Sequence, residues 1–159
     1  MTDAPEHLAQ ALAPLGVIAG SCILFGGWAE ELQGLRPPGS HGDVDLLLPA
    51  PSFAPLERAM ATNAALREFR AKRFAHKRAW AGADGLVLEF LLVTREAAGP
   101  VTRFWGDRQF HWLEPLGDRA IHLAEVDLAV ASSDNLIRYR RLHCSLEPWR
   151  WRDPASLVA

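Results

Sequence analysis

The sequence predicts a mixed α/β domain of the α+β type, in which a small mixed β-sheet carries helices packed on it. Short apolar runs of strand length alternate irregularly with longer segments whose apolar residues recur at helical spacing. The two kinds of segment do not follow one another as regular βαβ units. With 159 residues, of which 49% are hydrophobic, the chain has enough apolar material for one core. Disordered, collagen-like and coiled-coil classes are excluded by the same composition.

Helix and strand signals follow one another in the first half of the chain. Apolar residues between positions 8 and 15 recur at helical spacing, with Asp3 as the expected N-cap and Pro5 at an early position that helices tolerate. Glycine and proline clusters separate the later segments. In chain order we expect a helix over 4–15, a strand over 21–25, a helix over 28–32, a strand over 43–48 and a helix over 52–69.

The second half is predicted to consist mainly of β-structure. An Asp-Gly pair at positions 84–85 lies between two extended runs, which is typical of a hairpin turn. Ser132 or Ser133 with Asp134 marks the start of a last helix. In chain order we expect strands over 74–81 and 86–94, a loop over 99–107, strand segments within 109–113 and 120–131, and a helix through 143. Residues 132–159 would form a C-terminal helix with a Trp- and Arg-rich tail, within a single domain over 1–159.

Composition restricts the partners and the compartment. The 17 basic and 19 acidic residues give a net charge of −2, which provides no electrostatic basis for binding a long nucleic acid. The basic groups are concentrated after residue 65, an asymmetry that suits carboxylates facing an anion, although an evenly solvated surface is the alternative. Residues 8–29 carry no charge, but proline and glycines interrupt them, so we expect no membrane span. Two distant cysteines indicate no disulfide framework, and a cytoplasmic location is expected.

Asp43 and Asp45 are separated by one residue within a predicted strand. The strand period of two places both carboxylates on one face, whereas Val44 points into the core. Two neighbouring negative charges repel each other unless a cation offsets them, and oxygen ligands at this spacing suit Mg²⁺. The alternative is a solvent-facing edge strand with two aspartates that bind nothing.

Glu89 is the one charged side chain in the apolar run 86–93. Such a run is typical of a central strand, where an isolated carboxylate is costly unless a partner offsets its burial. One candidate partner is a metal ion shared with the two aspartates. The other is Arg78, which shares a hairpin face with Glu89 if the connecting loop has an even length. Both can hold, because an arginine beside the carboxylate can also contact a phosphate.

Gly26 and Gly27 follow an apolar strand and come directly before a helix. Because they have no side chains, their backbone N–H groups can approach phosphate oxygens closely. A pair of glycines at this place is also compatible with an ordinary tight turn.

The segment 25–48 resembles the signature of the DNA polymerase beta-like nucleotidyltransferase superfamily, in particular that of the small aminoglycoside and lincosamide nucleotidyltransferases. Their pattern is Gly-Gly-Trp, a short helix, and then Arg-x-His-x-Asp-hydrophobic-Asp. This chain has Gly-Gly-Trp at 26–28 and His-Gly-Asp-Val-Asp at 41–45. A looser similarity continues through Glu89 to the Ser-capped helix near Ser132.

The resemblance implies a minimal nucleotidyltransferase fold and a role for each matched residue. Gly26 and Gly27 would hold the β- and γ-phosphates of a nucleotide, and Asp43, Asp45 and Glu89 would bind two Mg²⁺ ions. Glu89 would also accept the proton of the attacking hydroxyl. The implied reaction is transfer of a nucleoside monophosphate from a nucleoside triphosphate to a hydroxyl of a small-molecule acceptor. The expected donor is ATP, so the expected transferred group is AMP.

The chain departs from the pattern of its relatives at three places. Gly39 replaces the arginine that lies two positions before the histidine, and Arg36 is the expected substitute, binding the nucleotide together with Arg78. A Leu-Leu pair at 91–92 replaces the His-Pro that often follows the third carboxylate. Glu89 itself replaces the aspartate common in that subgroup. These departures bear on nucleotide binding and on the acceptor.

Alternative functions and alternative ways of completing the site follow from the same residues. Minimal relatives modify a protein partner, as in toxin–antitoxin pairs, and a non-catalytic relative would only bind a nucleotide. The chain has little room for a separate acceptor domain, so we expect a homodimer or the C-terminal helix and tail to close the pocket. The arginines of that region would line it, or they form a solvated surface; they are Arg138, Arg140, Arg141, Arg150 and Arg152.

Overall fold

A computed structural model describes residues 2–146 of the chain, and β-structure dominates it. The strands are β1 (Thr2–Asp3), β2 (Ile23–Phe25), β3 (Asp43–Pro49), β4 (Arg67–Glu68), β5 (Lys77–Ala81), β6 (Val87–Glu96), β7 (Gly99–Arg103), β8 (Gln109–His111), β9 (Gly117–His122) and β10 (Asp127–Ala131). The α-helices are α1 (Glu6–Leu12), α2 (Gly26–Leu32), α3 (Ala54–Ala61) and α4 (Ser133–Leu146), and 3₁₀ segments lie at Ala13–Ser21 and Arg70–Lys72. The predicted α/β class is confirmed.

The sheet is mixed, as predicted, and its two central strands carry the apolar runs. The main path of the sheet is β1-β9-β10-β2-β3-β6-β5-β4, and β7 pairs with both β6 and β8. β3 and β6 are parallel, and Leu46, Leu47 and Phe90 on these strands are fully buried. Central strands covered on both faces have continuous apolar sequences for this reason. The parallel register places Asp45 opposite Glu89.

Helix α4 begins where the sequence predicts and is fastened to the sheet by a buried amide. The Ser132 hydroxyl accepts a hydrogen bond from the Asn135 N–H at 3.2 Å, which is the arrangement of a helix N-cap. The Asn135 side chain is buried and bonds the backbone of Leu113 and the carbonyl of Leu116. These bonds satisfy a buried polar group and fix the helix against the strands before it.

The first predicted helix, over 4–15, begins later and ends earlier than expected. Asp3 lies in β1, which pairs in parallel with β9, so it is extended and Pro5 is the N-cap of α1. After Leu12 the chain continues as a 3₁₀ segment, which Gly16 interrupts with a φ of 59°. Sheet pairing has overridden the local capping preference of Asp3.

The helix predicted over 52–69 ends at Ala61. The Asn63 side chain accepts a hydrogen bond from the Ala65 N–H at 3.0 Å and donates one to the Pro14 carbonyl at 2.7 Å. Such bonds favour a turn over further helix. Arg67–Glu68 then forms β4 along the edge of β5. The prediction was wrong because a strand edge available for pairing is not visible in local spacing.

Residues 99–107, predicted to be a loop, contain β7. Val101 and Thr102 are buried, and the Thr102 hydroxyl donates to the Leu92 carbonyl at 2.7 Å and accepts from the Trp112 indole N–H at 2.9 Å. These contacts to distant residues stabilise a strand that the Gly-Pro start of the segment does not indicate.

The predicted hairpin is confirmed by β5 and β6, which pair antiparallel. Ala81 pairs with Val87, so the connection comprises residues 82–86, an odd number. Loop parity matters for the site because a shift of one residue moves every side chain of a strand to the other face.

None of the helices within residues 2–146 has the length and apolar composition that a bilayer crossing requires. The tail that the sequence singles out for its Trp and Arg residues, from position 147 onward, lies outside the described residues. That the whole chain forms a single domain stays a prediction.

Candidate functional site

Three carboxylates converge where the central strands lie side by side. Asp43 and Asp45 share one face of β3, and Glu89 of β6 lies opposite Asp45 in the parallel register. One oxygen from each of the three carboxylates lies within 4.8 Å of the others. Glu89 is buried and the aspartates are half-buried. A set of oxygen donors at this spacing fits a hard divalent cation such as Mg²⁺.

Two lysines offset part of this negative charge, and sequence reasoning did not identify them. The Lys72 ammonium lies 2.7 Å from Glu89 Oε2, and the Lys77 ammonium lies 3.3 Å from Glu89 Oε1. Lys77 is buried on β5, whereas Lys72 ends the 3₁₀ segment Arg70–Lys72. The parity of the hairpin loop was the available signal, because an odd loop puts Lys77 on the Glu89 face.

Arg78 lies on the other face of the sheet, and the predicted Arg78–Glu89 ion pair is wrong. Ala79 is the residue opposite Glu89, and Arg78 is opposite Phe90. The Arg78 guanidinium donates a hydrogen bond to Glu57 of α3 at 2.7 Å. The physical reason is the odd length of the connection, which turns Arg78 away from the carboxylates.

The charges of the cluster shift the pKa values of its members in opposite directions. Burial, together with the negative charges of Glu89 and Asp43, raises the pKa of Asp45 to about 8, against the opposing effect of the lysines. Burial alone would raise the pKa of Glu89, but the hydrogen bond with Asp43 and the charges of Lys77 and Lys72 outweigh it and lower that pKa. Full ionisation of all three carboxylates therefore requires more positive charge than the two lysines supply.

The backbone at Gly26 passes close to the side chain of Asp45. Its φ is +67°, a conformation that residues with a side chain rarely adopt. A Cβ built there would lie 2.9 Å from both Cβ and Cγ of Asp45 and still closer to its Oδ2. The sequence predicts a glycine here for approach to phosphate, and the structure adds that no side chain fits beside Asp45.

The loop that precedes β3 folds back onto α2 and covers the second glycine. A Cβ on Gly27 would lie 2.8 Å from His41 Nδ1 and 3.3 Å from Arg36 Nη1. His41 Nε2 lies 2.6 Å from a carboxylate oxygen of Glu31, and its ring packs on Trp28 with centroids 4.5 Å apart. These contacts hold the loop so that Arg36 lies beside the glycine turn, which Gly26 and Gly27 form at the start of α2.

A cavity of about 170 Å³ opens beside the carboxylates. At one end it is lined by Gly26, Gly27, Asp43, Asp45, Glu89 and Lys77. At the other end it is lined by α4, through Leu136, Tyr139, Arg140 and His143. The three carboxylates, Gly26, Gly27 and this α4 wall therefore share one space.

No family model matches the chain, and no curated protein matches it. Among solved structures, it is similar to the lincosamide antibiotic adenylyltransferase LnuA with lincomycin bound, with a TM-score of 0.63 and 9% identity over 87% of each chain. The chain has the nucleotidyltransferase fold. It is also similar to the antibiotic-resistance factor ANT(2'')-Ia in solution, with a TM-score of 0.60 and 15% identity over 96% of this chain and 79% of that one. The crystal structure of ANT(2'')-Ia in complex with adenylyl-2''-tobramycin has a TM-score of 0.57, at 15% identity over 95% of this chain and 86% of that one.

Within this nucleotidyltransferase fold, the α4 wall of the cavity presents the aromatic ring of Tyr139 and the guanidinium of Arg140, which pairs with Glu30 of α2. Tyr139 packs edge-on against Phe25 with ring centroids 4.8 Å apart. The Arg140 guanidinium donates to both carboxylate oxygens of Glu30, at 3.0 Å from Nε to Oε2, and Arg36 lies 3.6 Å from the same carboxylate. Glu30 therefore brings little unbalanced negative charge to this wall.

Of the three C-terminal arginines that the structure describes, one lines the cavity. Arg140 does so, whereas Arg138 donates to the His111 carbonyl and lies over the Phe110 ring. Arg141 is exposed. Arg150 and Arg152 lie outside the described residues.

Proposed function

We propose that this protein is an enzyme that transfers AMP from ATP to a hydroxyl of a small-molecule acceptor in an Mg²⁺-dependent reaction. The observation that carries the proposal is the convergence of Asp43, Asp45 and Glu89 in a cavity. They lie next to the glycine turn, where a Cβ on either glycine would collide with a neighbouring side chain. The adenylyltransferase and the adenylylated drug named for the structural neighbours support a nucleotide donor and a small acceptor.

The donor set supports Mg²⁺ as the metal. All three ligand groups are carboxylates, which hard cations prefer. The raised pKa of Asp45 reflects its burial together with the negative charges of Glu89 and Asp43, which a cation would offset. We assign Asp43, Asp45 and Glu89 as the ligands of two Mg²⁺ ions. Bound there, Mg²⁺ would lower the pKa of the acceptor hydroxyl and neutralise charge on the phosphates.

The remaining roles fall to residues around the carboxylates. The backbone N–H groups of Gly26 and Gly27, with the Arg36 guanidinium beside them, bind the β- and γ-phosphates in this proposal. The acceptor oxygen forms a bond to the α-phosphorus, the bond from that phosphorus to the bridging oxygen breaks, and pyrophosphate leaves. Glu89 accepts the hydroxyl proton. Arg78 is left out of the nucleotide site because it pairs with Glu57 on the other face.

The sequence predicts that either a partner subunit or the C-terminal helix and tail closes the pocket. Helix α4 lines the cavity through Tyr139 and Arg140, which fits the prediction that the C-terminal helix closes the pocket. A homodimer stays a prediction, and light scattering of the purified protein measures it.

The test is transfer of label from ATP carrying a radioactive α-phosphate. The protein is incubated with Mg²⁺ and a panel of hydroxyl compounds that includes lincosamides and aminoglycosides, and pyrophosphate release is followed in parallel. We expect a labelled small molecule, and loss of both signals in Asp45→Asn but not in Asp107→Asn, which changes an exposed loop aspartate in the same way.

Three outcomes would contradict this proposal, and two of them favour an alternative. Label on a protein of an added lysate, with none on any small molecule, favours a protein acceptor. The absence of nucleotide binding in the presence of Mg²⁺ rejects both catalytic versions, whereas binding without pyrophosphate release under any condition favours a non-catalytic module.

A further inference from the structure

Two lysines pair with Glu89, the carboxylate that binds the metal and accepts the hydroxyl proton in the proposed reaction. Each oxygen of Glu89 has its own ammonium partner, Lys72 at 2.7 Å and Lys77 at 3.3 Å. Each oxygen of such a carboxylate keeps a second lone pair that a divalent cation can use. The cation would then lie close to both ammonium groups, and like charges at such distances repel each other strongly. Binding of a cation at this cluster is therefore opposed by the lysines and becomes stronger when one of them moves away.

Lys72 is the one that can move. Its side chain is 26% exposed, and it ends a three-residue 3₁₀ segment outside the sheet. The Lys77 side chain is 7% exposed, and its strand is paired with β6 along its length. A lysine stem is long and flexible, so an ammonium at the protein surface can change partners at little cost.

The proposed nucleotide supplies the new partner. A triphosphate brings several negative charges to the carboxylate cluster at the same time as the cation. An ammonium released from Glu89 at this place can bind the phosphate oxygens, because lysine binds phosphate as a point charge with three donors.

We propose that Lys72 is an exchangeable counter-ion, which neutralises Glu89 when the cluster holds no metal and binds the triphosphate when the metal and nucleotide are bound. The inference rests on the proposed function and assigns it a further nucleotide-binding residue. It requires that Lys72 oppose binding of the metal alone and favour binding of the nucleotide. A static ion pair that only stabilises the fold would not produce effects of opposite sign.

The experiment measures both affinities in Lys72→Met without relying on turnover. Binding of Mn²⁺ alone is followed by the electron paramagnetic resonance signal of free Mn²⁺, and binding of a non-hydrolysable ATP analogue with Mg²⁺ is followed by calorimetry. We expect Mn²⁺ to bind about tenfold more tightly and the analogue about tenfold more weakly than in the wild type. Lys72→Arg, which keeps the positive charge, should restore most of the analogue affinity.

Arg73→Met is the matched control, because it removes the same charge one residue further along the chain. Arg73 pairs with Glu57 and Glu68 and not with Glu89 in the ion pairs described here. It should leave both affinities close to wild type. Circular dichroism checks the fold of each variant, and Lys72→Gln replaces the Met variant where that one does not fold.

The outcomes separate this inference from the proposed function. Wild-type protein that binds both Mn²⁺ and the analogue, with either affinity unchanged in Lys72→Met or both shifted in the same direction, overturns the role of Lys72 alone. Wild-type protein that binds neither overturns the proposed function and the inference with it.

Discussion

The two ends of the cavity differ in how their charges are balanced. At the carboxylate end, three acids face the ammonium groups of Lys72 and Lys77, so full ionisation of the acids leaves negative charge in excess. At the α4 end, the Glu30 carboxylate is bonded by Arg140 and lies near Arg36, with Tyr139 beside it. The first end therefore attracts cations, and the second does not. In the proposed reaction, electrostatics would therefore bind the metal and the phosphates at the first end, whereas the acceptor would meet Tyr139 and Arg140 at the second.

The largest effect should come from filling the narrowest point of the carboxylate end. Gly26→Ala places a methyl group 2.9 Å from Cβ and Cγ of Asp45, and closer still to its Oδ2, and forces a residue with a side chain into a positive φ. We expect transfer activity to fall about a hundredfold, because displacement of a catalytic group by about 1 Å costs that much, and stability to fall by about 1–3 kcal/mol. Gly39→Ala is the control, because the space around it is open. Equal activities of the two variants would contradict a close approach at Gly26.

The excess of negative charge should also appear in the pH dependence of stability. The pKa of Asp45 is raised to about 8 from an ordinary value of 3.8, so the folded protein holds this proton where the unfolded chain has lost it. Stability of the metal-free protein should therefore fall as pH rises from about 4 through about 8. Asp45→Asn should remove this slope and be more stable than wild type at pH above 8, where the wild-type carboxyl is ionised. Urea unfolding in chelator across this range measures the difference, and parallel curves for the two proteins would contradict it.

The α4 end should respond to charge removal in the opposite way. Arg140→Met leaves Glu30 buried with Arg36 as its remaining cation, so we expect a loss of stability of about 1 kcal/mol. Once an acceptor is known, its KM should rise while binding of the ATP analogue stays unchanged. The double variant with Glu30→Gln should recover part of the stability, because the uncompensated charge is gone. A double variant less stable than Arg140→Met would contradict a balanced wall.

These two ends also differ in how far the sequence could predict them. The aspartates follow the strand period of two, and Glu89 is an isolated charge in an apolar run, so both signals are local. The Glu30–Arg140 pair joins residues 110 positions apart and carries no local pattern. The same limit explains β4, which replaced the end of a predicted helix, because an available sheet edge depends on strands folded elsewhere.

The lysines of the carboxylate end were missed for a different reason. Alternate residues of β5 share a face, as predicted, but the pairing of Arg78 with Glu89 depends on an even number of residues in the hairpin loop. The pairing of Ala81 with Val87 makes that number odd. One residue of register exchanges Arg78 for Lys77 as the neighbour of Glu89. Local periodicity thus predicts which residues share a face within a strand, and the turn decides which faces meet.

The smallest effect should come from Arg78, which tests this assignment of faces. Arg78→Met removes the hydrogen bond to Glu57, so stability should fall by about 0.5–1 kcal/mol, with no change in binding of the ATP analogue. The hydrogen bond from Arg78 lowers the pKa of Glu57, so its contribution is present above the ordinary value of 4.5 and is lost as pH falls through the lowered one. Unfolding curves of wild type and variant should therefore converge at acid pH. A variant that loses analogue binding at neutral pH would return Arg78 to the nucleotide site and reverse the assignment of faces.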